Sequence, residues 1–229
     1  NFNLYRPPLW IAKIFFKKTI IFTSKDNLVK TEHLPTLYKN LVSDFTDDNN
    51  KDYYLEVHSE DEKKYINYVQ KYKLSKYIFI HFDEKWLDID GIDKDLLYIL
   101  TKVSKHLNIK VIISAYNNSH NYYMNLKNDY NKSKPLNIIL LENLEFKVFE
   151  RFINYANLNI SSHSGSLVQL TGFNKAKYID IINKKDKLWV SCWIPSNINY
   201  QQIFKDNNDK RISIYQIFEN IIQIYEKNI

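Results

Sequence analysis

Tyr77-Ile78-Phe79-Ile80-His81-Phe82 is an almost unbroken apolar and aromatic run, and together with the residues after it this run decides how the chain folds. Successive strand residues point to opposite faces, so a run that is apolar at nearly every position has no solvent side. Asp93 to Leu107 then places Leu96, Leu97, Ile99, Leu100, Val103 and Leu107 on one helical stripe. Asp93 and Asp95 stand at the helix end where the dipole favours negative charge. Ile109 to Ser114 reads as a second strand, and the alternation continues. A helix is expected around Ser119 to Lys127, a strand from Asn137 to Leu141, and an amphipathic helix carrying Phe146, Phe149, Ile153 and Ala156. A strand from Asn157 to Ser161 leads into a short helix with Val168 and Leu170, closed by Gly172 as a left-handed cap. Tyr178 to Ile182 is the next strand, and Ser213 to Lys227 the closing helix.

Such a series returns the chain to the sheet in the same direction each time. The expectation is an α/β fold with a Rossmann-like, doubly wound parallel sheet of about five strands between Tyr77 and Ile182. Ile78, Ile80, Ile112, Ile139, Ile160 and Ile179 should be buried in it. The first 75 residues are less regular: Pro7 and Pro8, a short apolar run near Ile20, a helix from Thr31 to Phe45, a polar break from Thr46 to Asp52, then a strand and a helix.

The chain has 229 residues, 45% of them apolar and 25% charged, which is enough for a folded core and excludes a disordered or collagen-like protein. The greasiest early segment, Leu9 to Phe22, is interrupted by Lys13, Lys17 and Lys18, so no membrane span is read. A single cysteine, Cys192, can neither staple the fold nor build a thiolate metal cage; a cytoplasmic setting fits. The net charge of +6 is spread along both parts of the chain, and Arg6, Arg151 and Arg211 are the only arginines. No basic stripe forms, so a nucleic-acid partner is not expected.

In a doubly wound sheet, ligands bind where strands turn into helices. Ile160-Ser161-Ser162-His163-Ser164-Gly165-Ser166-Leu167 leaves a strand, passes through small residues and enters a helix. Small side chains let a ligand approach the backbone, and the first N–H groups of the helix suit an anion such as a diphosphate. The plainer reading is a Ser N-cap with a turn glycine. A hydrolase nucleophile elbow at Ser164 is excluded, because Ser162 and Ser166 occupy both glycine positions of that motif and no His comes after position 163.

The segment from Asn157 to Asn174, followed by Tyr178-Ile179-Asp180-Ile181-Ile182, resembles the donor-site signature of ADP-heptose:lipopolysaccharide heptosyltransferase-like glycosyltransferases. In that family a strand ends in Asp-Thr-Gly-Pro-Met-His-Leu-Ala, then comes a helix, then a strand. His163-Ser164-Gly165-Ser166 stands where Asp-Thr-Gly-Pro would be. Ile80 to Trp86 resembles the first strand and loop of the family's nucleotide-sugar domain, and Leu141-Glu142-Asn143-Leu144 with the helix after it resembles the segment before the signature. His33 to Leu41 matches the interdomain region more loosely. The sequence departs from the family at His163, Ser166 and Val168, which stand where it has Asp, Pro and His.

The resemblance implies a GT-B architecture. Residues 76–229 would be the Rossmann-like nucleotide-sugar lobe, and residues 1–75 a partial acceptor-side lobe with the interlobe region. A full first lobe needs about 150 residues, so a fragment or a reduced member is expected. The implied activity is transfer of a sugar from a nucleotide-diphosphate donor to a cell-envelope glycan or glycolipid, as in lipopolysaccharide biosynthesis, at the inner face of the cytoplasmic membrane. The alternative is a non-catalytic α/β binding or assembly domain on the same scaffold. Ser164, Gly165, Ser166, His163 and Lys85 would hold the donor diphosphate, and His81, Glu142 and Asn143 the nucleotide. The resemblance implies no cofactor and no bound metal, and no catalytic base is assigned.

Other motifs read more plainly. Asp88-Ile89-Asp90, the D-x-D form that metal-dependent glycosyltransferases use, precedes Gly91 and a helix start and reads as a turn and cap. His58, Glu60, Asp61 and His120 lack metal-ligand spacing. Trp189, Trp193 and Tyr200, near Cys192 and Pro195, offer rings for stacking on a sugar or base, with core packing as the simpler reading.

Overall fold

The computed structural model describes residues 58–116, 121–174, 176–191, 194, 198–207 and 210–227. The expected elements before residue 58 therefore lie outside the described residues. The chain divides into two units, one of residues 1–50 with 188–193, the other of residues 51–187 with 194–229.

The second unit is built on six parallel strands: β1 (Tyr77–Phe82), β2 (Lys110–Ala115), β3 (Ile138–Glu142), β4 (Leu158–Ser161), β5 (Tyr178–Ile182) and β6 (Tyr200–Phe204). Their order is β3-β2-β1-β4-β5-β6. β1 is central, with Ile78 opposite Val111 of β2 on one side and Leu158 of β4 on the other. All six residues of β1 are buried, as its apolar run requires.

Helices cover both faces. Ile78, Ile80 and Phe82 pack with α2 (Ile92–Leu107), α3 (Asn121–Ser133) and α7 (Ile214–Lys227). Tyr77 and Phe79 pack on the opposite face with α1 (Ser59–Tyr72), α4 (Phe146–Tyr155) and α5 (Gly165–Asn174). A five-residue helix, α6 (Lys187–Ser191), and a small antiparallel pair, β7 (Asp206–Asn207) with β8 (Lys210–Arg211), complete the described elements. The six isoleucines expected in the core are all buried.

Two expectations need correction, and one strand goes unannounced. Gly172 lies inside α5, which runs on to Asn174, so it caps nothing. Phe146 is 52% exposed; the buried face of α4 carries Val148, Phe149, Phe152 and Ile153 instead. β6 is a strand that the apolar runs do not announce. Its sequence, Tyr200-Gln201-Gln202-Ile203-Phe204, pairs along β5 at the sheet edge, where only Ile203 is fully buried. An edge strand needs no continuous apolar run.

Candidate functional site

The strand order reverses between β1 and β4, from which the crossovers run to opposite sides, and the carboxyl ends of the strands at such a switch point are where this class of fold takes its ligands. Two turns border the switch point. After β1, Asp83 Oδ1 accepts the Lys85 N–H at 3.0 Å and caps a 3-10 turn over Glu84–Asp88. Trp86 is wholly buried under this turn and donates Nε1 to the His81 carbonyl at 2.9 Å, which sends Lys85 outward. Burial raises the Asp83 pKa above the usual carboxylate value.

After β4, Ser164 takes the N-cap position of α5. Its Oγ accepts the Leu167 N–H at 3.4 Å, its carbonyl accepts the Val168 N–H at 3.0 Å, and its own N–H goes to Ser161 Oγ at 3.1 Å. The plainer reading of Ser164 is therefore realised: its hydroxyl serves the helix. Gly165 is different. A Cβ there would meet nothing within 4 Å, and among the described residues its N–H has no partner. Nothing in the fold requires glycine at this position, and its lack of a side chain leaves the start of α5 open. The Ser166 backbone forms the next position of the same helix.

The two turns are tied together. Lys85 Nζ donates to the His163 carbonyl at 2.7 Å, and Ser162 Oγ donates to the Lys85 carbonyl at 3.0 Å. That carbonyl also accepts Nζ of Lys205, a residue just past β6 that no sequence motif marks. Lys205 is 4% exposed and 4.0 Å from the Asp88 carboxylate; burial lowers its pKa, against the pull of Asp88 and Asp83. His163 adopts φ 50° in the left-handed region, and its Nδ1 is 2.8 Å from Asp180 Oδ2.

The expected nucleotide residues sit on the other flank. His81 is buried, its ring edge-on to Phe149 and Tyr116, so it packs inward rather than facing outward. Glu142 ends β3, where Lys127 Nζ approaches to 2.9 Å. Burial opposes its ionisation, but the Tyr123 hydroxyl and Lys127 outweigh that and hold its carboxyl below the usual range. Asn143 comes next at φ 52°, exposed, its N–H bonded to the Ala115 carbonyl at 3.0 Å. With strands about 4.8 Å apart, β3 and β4 are separated by about 14 Å across the sheet.

Asp88 and Asp90 stand in different local settings. Asp88 ends the 3-10 turn beside Lys205, while Asp90 bridges to Ser213 and precedes Gly91, which opens α2. Among the described residues no group of three or more His, Cys, Asp and Glu is arranged to hold a metal. Tyr200 packs its ring on Tyr178 at 5.6 Å and donates its hydroxyl to Asp180 at 2.7 Å. Trp189 is 45% exposed; Cys192, Trp193, Pro195 and His120 lie outside the described residues.

No protein-family model and no curated protein matches the chain. Solved structures do. The glycosyltransferase family 9 protein from Veillonella parvula superposes on 95% of this chain with a TM-score of 0.69 at 13% identity. E. coli heptosyltransferase WaaC, solved with ADP, matches 94% of it with a TM-score of 0.55 at 11% identity, and E. coli ADP-heptose heptosyltransferase II matches 76% with 0.51 at 10%. The fold is the one these glycosyltransferases have. At such identities the likeness speaks for fold alone, and it carries the Rossmann-like GT-B expectation. This chain spans 66%, 62% and 54% of the length of those three proteins. Among the described residues no helix is long and apolar enough to cross a membrane.

Proposed function

We propose that the six-stranded unit binds the donor of a glycosyltransferase reaction, a nucleotide-diphosphate sugar whose glycosyl group goes to a cell-envelope glycan or glycolipid. One observation carries this reading: Lys85 and the open start of α5 at Gly165 meet across the β1–β4 switch point. Lys85 reaches the His163 carbonyl two residues before Gly165, whose N–H has no partner among the described residues, so an anion placed there would meet a cation and a backbone donor at once. The nucleoside would then extend from β4 across β1 and β2 toward Glu142 and Asn143. Its expected span is that of the carboxyl edge.

A second reading has its own observation. Lys85 is already bonded to a carbonyl, and the Ser164 hydroxyl already caps α5, so both groups have a role without a ligand. A non-catalytic binding or assembly scaffold would look like this.

Titration calorimetry of folded variants with nucleoside diphosphates separates the two. Gly165→Val fills space that is open in the fold, so it should leave stability nearly unchanged while blocking the diphosphate. Lys85→Ala should weaken a nucleoside diphosphate more than the nucleoside. Ser164→Ala should lower stability by about 1 kcal/mol through the lost cap. Unchanged affinity in both Gly165→Val and Lys85→Ala hands the chain to the scaffold reading.

A further inference from the structure

Behind the turn lies a buried polar cluster that anion binding leaves unused. Asp180, in the middle of β5, is wholly buried and takes part in three hydrogen bonds. Its Oδ1 accepts from the Tyr178 hydroxyl at 3.1 Å; its Oδ2 accepts from the Tyr200 hydroxyl at 2.7 Å and lies 2.8 Å from His163 Nδ1. Each phenol has a donor of its own behind it. Ser161 Oγ is 2.6 Å from the Tyr178 hydroxyl, and Gln202 Nε2 donates to the Tyr200 hydroxyl at 3.1 Å. Burial pushes the ionisation of both tyrosines upward, so they remain donors. A carboxylate served this way only accepts, and the third partner must arrive with its proton: His163 presents Nδ1–H to Asp180.

In the neutral ring this bond also decides the role of the other nitrogen. His163 is 29% exposed, and among the described residues its Nε2 has no partner, nor is that nitrogen enclosed. In a singly protonated imidazole with its proton on Nδ1, Nε2 carries the lone pair and accepts. Phosphate oxygens also accept, so such a nitrogen pairs with a hydroxyl rather than with the diphosphate. The backbone of His163 sits at φ 50°, uncommon for a residue with a side chain, and the bond to Asp180 gives that conformation a purpose.

We propose that Asp180 is a positioning residue that fixes His163 in its Nδ1–H tautomer, so that Nε2 accepts a hydroxyl of the glycosyl group beyond the diphosphate and selects the glycosyl ester over the bare nucleoside diphosphate. This rests on the donor-site reading above, and it moves His163 out of the phosphate-binding set.

The test has two parts. Long-range proton–nitrogen NMR of the protein labelled at histidine nitrogen reads the tautomer without any ligand. At neutral pH the wild type should show His163 protonated on Nδ1 alone, and Asp180→Asn should move the proton toward Nε2. Calorimetry with ADP, UDP and GDP, each beside its glucose or mannose ester, reads selection. In the wild type one ester should bind about 3- to 10-fold more tightly than its parent diphosphate, the range of one hydrogen bond. In His163→Ala that ratio should fall to about one, which keeps the test alive if Asp180→Asn does not fold. A wild-type ring protonated on Nε2 or on both nitrogens overturns the proposal, as does an ester advantage that is absent in the wild type or survives in His163→Ala. If no nucleoside diphosphate binds the wild type at all, the donor-site reading itself fails, whatever the NMR shows, and the selection goes with it.

Discussion

His81 stands at the carboxyl end of β1 with 7% exposure and, among the described residues, no partner for its buried Nδ1, and burial lowers its pKa from the ordinary 6.5 to about 4. Between those two values the unfolded chain binds the proton and the folded one does not. Stability therefore rises with pH across that window; the contribution is complete above about pH 6.5 and is lost as pH falls toward 4. A gap of that size corresponds to about 3 kcal/mol. Urea unfolding at pH 7 and pH 4.5 should show most of this loss in the wild type, and His81→Phe, which keeps an aromatic ring beside Phe149 and Tyr116, should flatten it. Gly91 is a second residue with a measurable constraint. It holds φ 78° at the start of α2, and a Cβ would come within 3.3 Å of Ile214, so Gly91→Ala should cost about 1–2 kcal/mol in the same assay. At this scale the sequence is readable wherever chemistry is local. Ser164 as a cap, Gly165 as an open turn position and Asp88-Ile89-Asp90-Gly91 as a helix approach all derive from neighbours in the chain. Asp180 and Lys205 are not readable, because each acts on residues 17 and 120 positions away, His163 and Lys85, that only the sheet order brings near.

α4 shows how an element can be recognised and still be turned the wrong way. Phe146, Phe149, Ile153 and Ala156 form a valid helical stripe, but the helix is packed from more than one direction: against the sheet, against α1 and against α5. Its buried surface is consequently wide. Phe152 lies near the centre, in ring contact with Tyr65 at 5.1 Å, Phe79 at 5.8 Å and Tyr77 at 6.1 Å. Even Glu150 and Arg151 are buried there, paired with each other and with Arg151 3.9 Å from Glu62 of α1. Hydrophobic periodicity counts such a pair as solvent-facing, so it points the stripe away from it. The structure makes the opposite forecast for two phenylalanines of one helix. Phe152→Ala should destabilise by about 3–5 kcal/mol, while Phe146→Ala should stay within about 0.5 kcal/mol of wild type, by denaturant midpoint at constant m-value. β6 escapes the sequence pattern for a related reason. Among the described residues its one strand partner is β5, and at a sheet edge its half-buried glutamines are admissible.

For the molecule as a whole, the alternation of apolar runs and helical stripes is enough to specify a parallel sheet, since each crossover must return the chain in the same direction. It is not enough to specify the order of the strands, and the site depends on that order. Only when β4 lies against β1 do Lys85 and the start of α5 face one another. The same order decides how negative charge would be met. At the switch point the structure gathers Lys85, Lys205 and the positive end of α5, while Asp88 is drawn toward Lys205 and Asp90 belongs to the approach to α2. A divalent cation bridging a diphosphate needs a converging set of ligands; among the described residues no group of three or more His, Cys, Asp and Glu provides one, and Asp88 has Lys205 beside it at 4.0 Å. Helix and lysine should therefore carry the neutralisation. Calorimetric affinity for a nucleoside diphosphate should be the same in EDTA as in magnesium or manganese, and it should fall with added salt because the attraction is partly screened. Binding that vanishes in EDTA and returns with either metal, and that is lost again in Asp88→Asn or Asp90→Asn, would assign the phosphates to the aspartates and remove Lys85 from the centre of the site.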